Sequence, residues 1–253
     1  MLTLSEAQLA AWVSPIFWPF IRVLAVFTSA PVFSAKMFPL RARIALAFLV
    51  ALAAQASLPP AEVIGFNDPR ALGVLMQQVV VGLCIGFAVR LVFAAVELAG
   101  EVVGFQMGLN FASFFDPSMN NQSSAVAIFF SQITSLLFVV MNGHVMVLMA
   151  VTRSFTAFPI EQNFLQALAR MQMHQLGSEV FASALWIAMP MIGMLMFTNL
   201  ALGVISRVAP QLNIFAVGFP ITLVVGLVGI AFTLPMLDQP FIALMGRVID
   251  MFG

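Results

Sequence analysis

Tyrosine is absent from this sequence of 253 residues, cysteine occurs once, histidine twice, and charged residues make up only 8%. Each scarcity excludes something. A single cysteine, Cys84, can form neither an internal disulfide nor a Cys-based zinc site. A small buried apolar residue in a helix is the ordinary fate of such a thiol. His144 and His174 have no neighbours at metal-ligand spacing, so no metal or cofactor is expected. No Walker A loop, dinucleotide glycine pattern, His-Glu-x-x-His pair or serine-nucleophile elbow occurs, which argues against an enzyme. Ten basic and ten acidic residues cancel to zero net charge, with no basic stripe for nucleic acid to neutralise. Without tyrosine, only Trp12, Trp18 and Trp186 are available as amphipathic aromatics for a membrane-interface belt.

The scarcity of charge has the widest consequence. Soluble domains carry about 25% charged residues. This chain is 62% hydrophobic, with 26 phenylalanines and 17 methionines. Its surface must face lipid or other subunits. A membrane-spanning helix needs about 20 mainly apolar residues. Six stretches qualify, at about 11–33, 42–58, 71–96, 125–151, 180–206 and 212–237, followed by a short amphipathic tail at 241–251. Pro15, Pro19, Pro31, Pro190, Pro220 and Pro235 break or kink them. The runs are apolar all round rather than alternating, which favours helices over barrel strands. The expected fold is therefore an all-α membrane protein with about six long hydrophobic helices. Only Glu6 precedes Arg22 among the charges, so the first run does not read as a cleavable signal and is expected to remain in the mature protein. Lys36, Arg41 and Arg43 would place the first connection in the cytoplasm. Over the whole chain, however, Lys and Arg divide almost evenly between the two sides, and orientation stays undetermined.

Residues 97–124 depart most from this pattern. Glu97 and Glu101 sit one helical turn apart and repel, while Arg90, two turns earlier on the same face, could partly neutralise them. Two readings remain: a proton or ion site, or ion pairs across helices or subunits. Gly100, Gly104 and Gly108 repeat every four residues, a bare ridge that a second backbone could approach. Met107, Phe111, Phe114 and Phe115 cluster before Asp116-Pro117, which should stop a helix. The cluster is either ordinary core packing or a movable apolar plug that seals by excluding water. Arg207 and Pro210, with Gln211 and Asn213, make a tight turn between two apolar runs, where the amides could bond neighbouring helices. A proton-coupled transporter of a small solute is the rival from another functional class, with Glu97 and Glu101 as its coupling acids. No internal repeat of the transporter kind is found.

Several blocks, in order along the chain, resemble the FliR family, which includes the export-gate subunits of flagellar and virulence type III secretion. They are Gln106-Met107-Gly108 with Asp116-Pro117, Asn142-Gly143-His144, Ser154-Phe155 with Pro159, Asn199-Leu200-Ala201-Leu202-Gly203, Arg207 with Pro210-Gln211-Leu212-Asn213-Ile214-Phe215, and Gly218-Phe219-Pro220. Many members carry a second histidine where this chain has Val145, which speaks against a required histidine pair.

The resemblance implies a FliP-like part over 1–178 and a FliQ-like helical hairpin with a short tail over 179–253. It implies one copy per gate, in a tilted spiral cone with FliP-like and FliQ-like subunits. FlhB-like and FlhA-like components, membrane lipid and unfolded secreted proteins as cargo are the further partners it implies. The location it implies is the bacterial inner membrane, at the flagellar basal body. A loop at about 104–122 would help close the pore, with Met107, Phe111, Phe114 and Phe115 as the plug. Gly104, Gly108, Asp116 and Pro117 would be its hinge and anchor. Arg90, Glu97, Glu101, Arg207, Gln211 and Asn213 would be intramembrane charges and subunit contacts. Energy would come from the proton motive force and a separate ATPase.

Overall fold

The computed structural model describes the backbone of residues 6–36, 38–55, 64–65, 67–109, 123–160, 173–211 and 213–252. Within these there are eight α-helices and no strand: α1 (Glu6–Ser29), α2 (Leu40–Gln55), α3 (Ala71–Gln106), α4 (Ala125–Val140), α5 (Gly143–Ala157), α6 (Met173–Val208), α7 (Ile214–Thr233) and α8 (Asp238–Met251). A short 3₁₀ turn, Leu234–Met236, with Pro235 inside it, separates α7 from α8. Four helices are long and apolar enough to cross a membrane, and α4 with α5 could form a fifth, broken span. The protein is an all-α membrane protein.

Two expected segments differ from what is observed. The run at 71–96 continues as α3 to Gln106, making 36 residues, or about 54 Å at 1.5 Å per residue. That exceeds the roughly 30 Å apolar core of a bilayer. Glutamate and glycine do not stop it, because both acids find donors and both glycines sit at contacts. The run at 125–151 is not one helix. It breaks at Met141-Asn142, where Asn142 adopts the left-handed conformation (φ 55°), which asparagine tolerates better than most side chains. The Asn142-Gly143 pair thus acts as punctuation inside an uncharged run that hydropathy alone reads as continuous. At 16 residues, α2 is also shorter than a conventional span.

The helices gather into two compact units that interleave along the chain. Unit one comprises residues 1–91, 142–176 and 244–253; unit two comprises 92–141 and 177–243. One of these crossings lies between residues 176 and 177.

In unit two, α3 lends Val96, Ala99, Val103 and Met107 to a core completed by Val126 and Phe130 of α4, Ala184, Ile187, Ala188, Met191 and Leu195 of α6, and Ile230 of α7. The spacings of three and four residues on α3 and α6 place each set on one helical face. A β-carbon on Gly229 of α7 would fall 2.7 Å from Met194 Cε of α6, so the end of the Met194 side chain lies against this glycine. Their other faces stay apolar and open: Trp186, Phe197, Leu200 and Val208 of α6, and Val224 and Phe232 of α7, are all exposed. Faces of this kind require lipid or another subunit.

In unit one, several polar groups are interior, Ser14, Arg22, Gln77, Gln78 and Ser154 among them. Trp18 is buried, and its indole donates to Ser14 Oγ (2.9 Å), which donates onward to the Ile64 carbonyl (3.0 Å). Trp18 is therefore a core residue rather than an interfacial one, whereas Trp12 and Trp186 are exposed as an interface belt requires.

Candidate functional site

The junction between α3 and α4 in unit two brings most of the describable candidates together. Glu101 Oε1 accepts from the backbone N–H of Ser124 (2.8 Å), and Glu97 Oε1 accepts from the Ser123 hydroxyl (3.3 Å). The two acids therefore act as a clasp on two consecutive residues at the start of α4. Ser124 also caps that helix, its Oγ accepting from Ala127 N (3.1 Å). Capping satisfies one of the free N–H groups of the first turn. The glycine ridge makes the clasp possible. A β-carbon on Gly100 would lie 2.8 Å from Ala127 Cα, and one on Gly104 would lie 2.7 Å from Ser124 Oγ.

Gly108 does not continue the ridge. It lies beyond the helix at φ +79°, the left-handed conformation that glycine adopts without steric cost and that ends many helices. The Gly108 N–H donates to Phe105 O (3.0 Å), and the Met107 N–H donates to Val103 O (2.9 Å). Met107 is fully buried in the core of unit two. It therefore faces the interior of unit two in this structure. Gly104, expected as a hinge, is a helical contact residue. Phe111, Phe114, Phe115, Asp116 and Pro117 lie outside the described residues.

The remaining candidates are dispersed. Arg90 is exposed and makes no ion pair among the described residues; serine donors rather than Arg90 meet Glu97 and Glu101. Arg207, Gln211 and Asn213 are exposed at the α6–α7 turn. Asn213 starts α7, its carbonyl accepting from Ala216 N (3.0 Å) and Val217 N (3.1 Å). Among the described residues, no cluster of three His, Cys, Asp or Glu side chains could hold a metal ion.

Sequence reasoning passed over one buried group of equal weight. Arg22 of α1 is fully buried in unit one. Its Nε donates to Gln78 Oε1 (2.8 Å), Nη1 to the Ser154 carbonyl (2.8 Å) and Oγ (3.0 Å), and Nη2 to the Phe158 carbonyl (2.8 Å). The guanidinium also lies 4.1 Å from the centre of the Phe155 ring. The cation caps the C-terminal end of α5, where free carbonyls carry partial negative charge. A nearby bond repeats the theme: Gln77 Nε2 donates to the Pro159 carbonyl (3.0 Å). The signal in the sequence was the isolated Arg22 in one apolar run and Gln77-Gln78 in another, polar groups that need each other in a place without water.

The sequence profile described as bacterial export proteins, family 1, matches residues 13–248. The flagellar biosynthetic protein FliR of Pectobacterium carotovorum subsp. carotovorum is 38% identical over 253 residues, covering 100% of this chain and 97% of that protein. FliR of Escherichia coli (strain K12) is 38% identical over 241 residues, covering 95% and 92%. FliR of Bacillus subtilis (strain 168) is 30% identical over 214 residues, covering 83% and 82%. A match that runs through every helix of both units, from the buried arginine to the amphipathic last helix, leaves one assignment: the chain belongs to family 1 of the bacterial export proteins.

Proposed function

We propose that this chain is a non-enzymatic subunit of the flagellar type III export gate in the bacterial inner membrane. It would form, with FliP-like and FliQ-like subunits, the pore through which unfolded flagellar proteins leave the cytoplasm. FlhB-like and FlhA-like components would complete the apparatus. The observation that carries this reading is the end-to-end likeness to proteins named for flagellar biosynthesis.

Physical features support it. The open apolar faces of α6 and α7 suit a hairpin that packs against sibling subunits, as a FliQ-like part over 179–253 would. A FliP-like part over 1–178 would supply the pore segment. The loop at about 104–122 would follow the part of α3 whose Glu97 and Glu101 accept from Ser123 and Ser124. Phe111, Phe114 and Phe115 on that segment would close the passage by excluding water.

Isolation from detergent-solubilised membranes tests the reading. A tagged chain is expected to carry FliP-like and FliQ-like subunits in a fixed ratio, and deleting its gene is expected to abolish secretion of flagellar proteins. A chain that purified stably alone and moved a small solute with protons would contradict it.

A further inference from the structure

The end of unit one at which α1 gives way to α2 is cationic. Lys36 lies in the connection, and Arg41 and Arg43 lie in the first turn of α2. No acid occurs in the sequence between Glu6 and Glu62. None of the three cations makes an ion pair among the described residues, where Asp68 pairs with Arg70 and Asp250 with Arg153. Lys36 and Arg41 are exposed, whereas Arg43 Nε is buried and without an acceptor among the described residues. Arg90 comes out at the same end. In unit one α3 runs in the same direction as α1, since β-carbons on Gly82 and Gly86 would meet Arg22 and Ala30 in turn, and Arg90 stands one turn beyond Gly86. The 19 uncharged residues Ala71–Val89 lie between Arg70 and Arg90. As helix they cover about 28 Å, which matches a bilayer core of roughly 30 Å. A membrane surface therefore falls at the level of Arg90 and of the three cations.

From that level α2 runs back inward beside α1, with the Phe48 and Phe20 ring centres 6.4 Å apart. Ala47, Ala51 and Ala54 form its buried face. Arg41, Ile44, Phe48 and Leu52 recur at spacings of three and four and so share another face, and all four are exposed. Arg41 and Leu52 are eleven positions apart. That is about 16 Å along a helix, close to the roughly 15 Å of one leaflet's hydrocarbon. The stripe has the dimensions of one lipid, with a cation at headgroup height and an apolar track beneath it. We propose that this face of α2 binds an acidic phospholipid, whose phosphate meets Arg41 and Lys36 and whose acyl chain lies along Ile44, Phe48 and Leu52. Arg43 Nε supplies a further donor for the phosphate, a group that guanidinium forks bind well. A free phosphate would leave the apolar track uncovered. The leaflet-length match favours lipid over a protein partner, which sets no such length. The site does not depend on the pore reading.

The full chain, isolated in mild detergent with the subunits that accompany it, is the material for the test. Phosphatidylglycerol and phosphatidylcholine with the same acyl chains are the probes. Native mass spectrometry counts bound lipid, and thermal melting reports its effect. The parent is expected to retain phosphatidylglycerol in preference, and to melt several degrees higher with it than with phosphatidylcholine. Lys36→Gln combined with Arg41→Gln is expected to weaken phosphatidylglycerol binding roughly tenfold or more and to remove the difference in melting. Arg41→Lys, which keeps the charge, should keep most of the binding. Arg153→Gln, an exposed cation outside the site, should leave both readouts unchanged. Ile44→Ser combined with Leu52→Ser should weaken binding of both lipids. If the double glutamine variant fails to assemble, the two single variants decide, each expected to lose part of the preference. Equal retention of the two lipids by the parent, or an equal loss in Arg153→Gln, would overturn the site. A melting shift reproduced in full by inorganic phosphate would overturn the lipid as its occupant. Loss of another subunit from the double glutamine variant, with lipid binding unchanged, would give the face to a protein partner instead.

Discussion

Unit one combines a buried cation with glycine contacts, Gly82 on Arg22 O and Gly86 on Ala30 N, whereas unit two relies on missing side chains without such a cation. In unit one, Arg22 donates to Gln78, Ser154 and Phe158 in the interior, and the fit depends on hydrogen-bond direction. In unit two, Gly100, Gly104, Gly226 and Gly229 admit a neighbouring helix or side chain, and the fit depends on volume. Both address the same difficulty. Between helices in lipid, burial of apolar surface gives little drive to associate, so directional bonds and close packing must specify the contacts. The polar solution fixes one geometry at high cost of error. The steric solution holds a register that a single methyl group can shift, which suits the unit that contains the proposed gate.

The contrast can be broken most severely at Arg22. Arg22→Met leaves two helix-end carbonyls and the Gln78 amide without donors, at roughly 1–3 kcal/mol for each unsatisfied group. A total loss of about 3 kcal/mol or more is expected, read as a collapse in the amount of assembled complex and in its melting temperature. Arg22→Lys is expected to rescue little, because one ammonium cannot reproduce a planar fork that reaches three separate acceptors.

A smaller effect is expected in unit two from Gly100→Ala, whose methyl meets the Ala127 backbone. Overpacking of this kind costs about 1–3 kcal/mol, and thermal unfolding of the complex would report it. Ser124→Ala should cost about 1 kcal/mol through loss of the α4 cap. Glu101→Gln, which keeps an acceptor for Ser124 N, should cost less than Glu101→Ala in the same assay.

The smallest effects belong to exposed charges in unit one. Arg153 Nη1 stands 3.9 Å from Asp250 Oδ1, both side chains largely in solvent, and Arg153→Ala should change stability by no more than about 0.5 kcal/mol. The hydrogen bonds from Arg70 hold the Asp68 carboxyl below its usual range. A carboxylate with a depressed folded-state pKa contributes above its unfolded pKa, and the contribution is lost as pH falls through the lower folded value. Asp68→Asn should therefore leave melting at neutral pH nearly unchanged and remove only a slight acid dependence below the ordinary carboxylate range. A large effect from either variant would mean that exposed ion pairs, and not Arg22, organise unit one.

Hydropathy made most of the helices legible, and the four-residue glycine spacing at Gly100 and Gly104 correctly marked a close approach. What hydropathy could not show was punctuation. Asn142 breaks an uncharged run through backbone conformation, a local property that average apolarity ignores. Glu97 and Glu101 read as the end of a span, yet the helix passes through them because Ser123 and Ser124, more than twenty positions away in sequence, supply donors. Met107 looked like one of a cluster of four bulky residues with Phe111, Phe114 and Phe115. Only the fold shows that Gly226, distant in sequence, has a notch for it. Arg22 went unread for the same reason: its acceptors lie in α3, in α5 and just beyond α5. For Glu97 and Glu101, Met107 and Arg22 the missing information is a long-range pairing between groups that are individually unremarkable.

Under the proposed function this chain would help to form an export passage shut by an apolar loop. Ion conductance of the reconstituted complex tests it most directly. The parent complex should be closed to ions, and the variant with Phe111, Phe114 and Phe115 changed to serine should conduct steadily at normal subunit content. A variant complex as tight as the parent would contradict the claim.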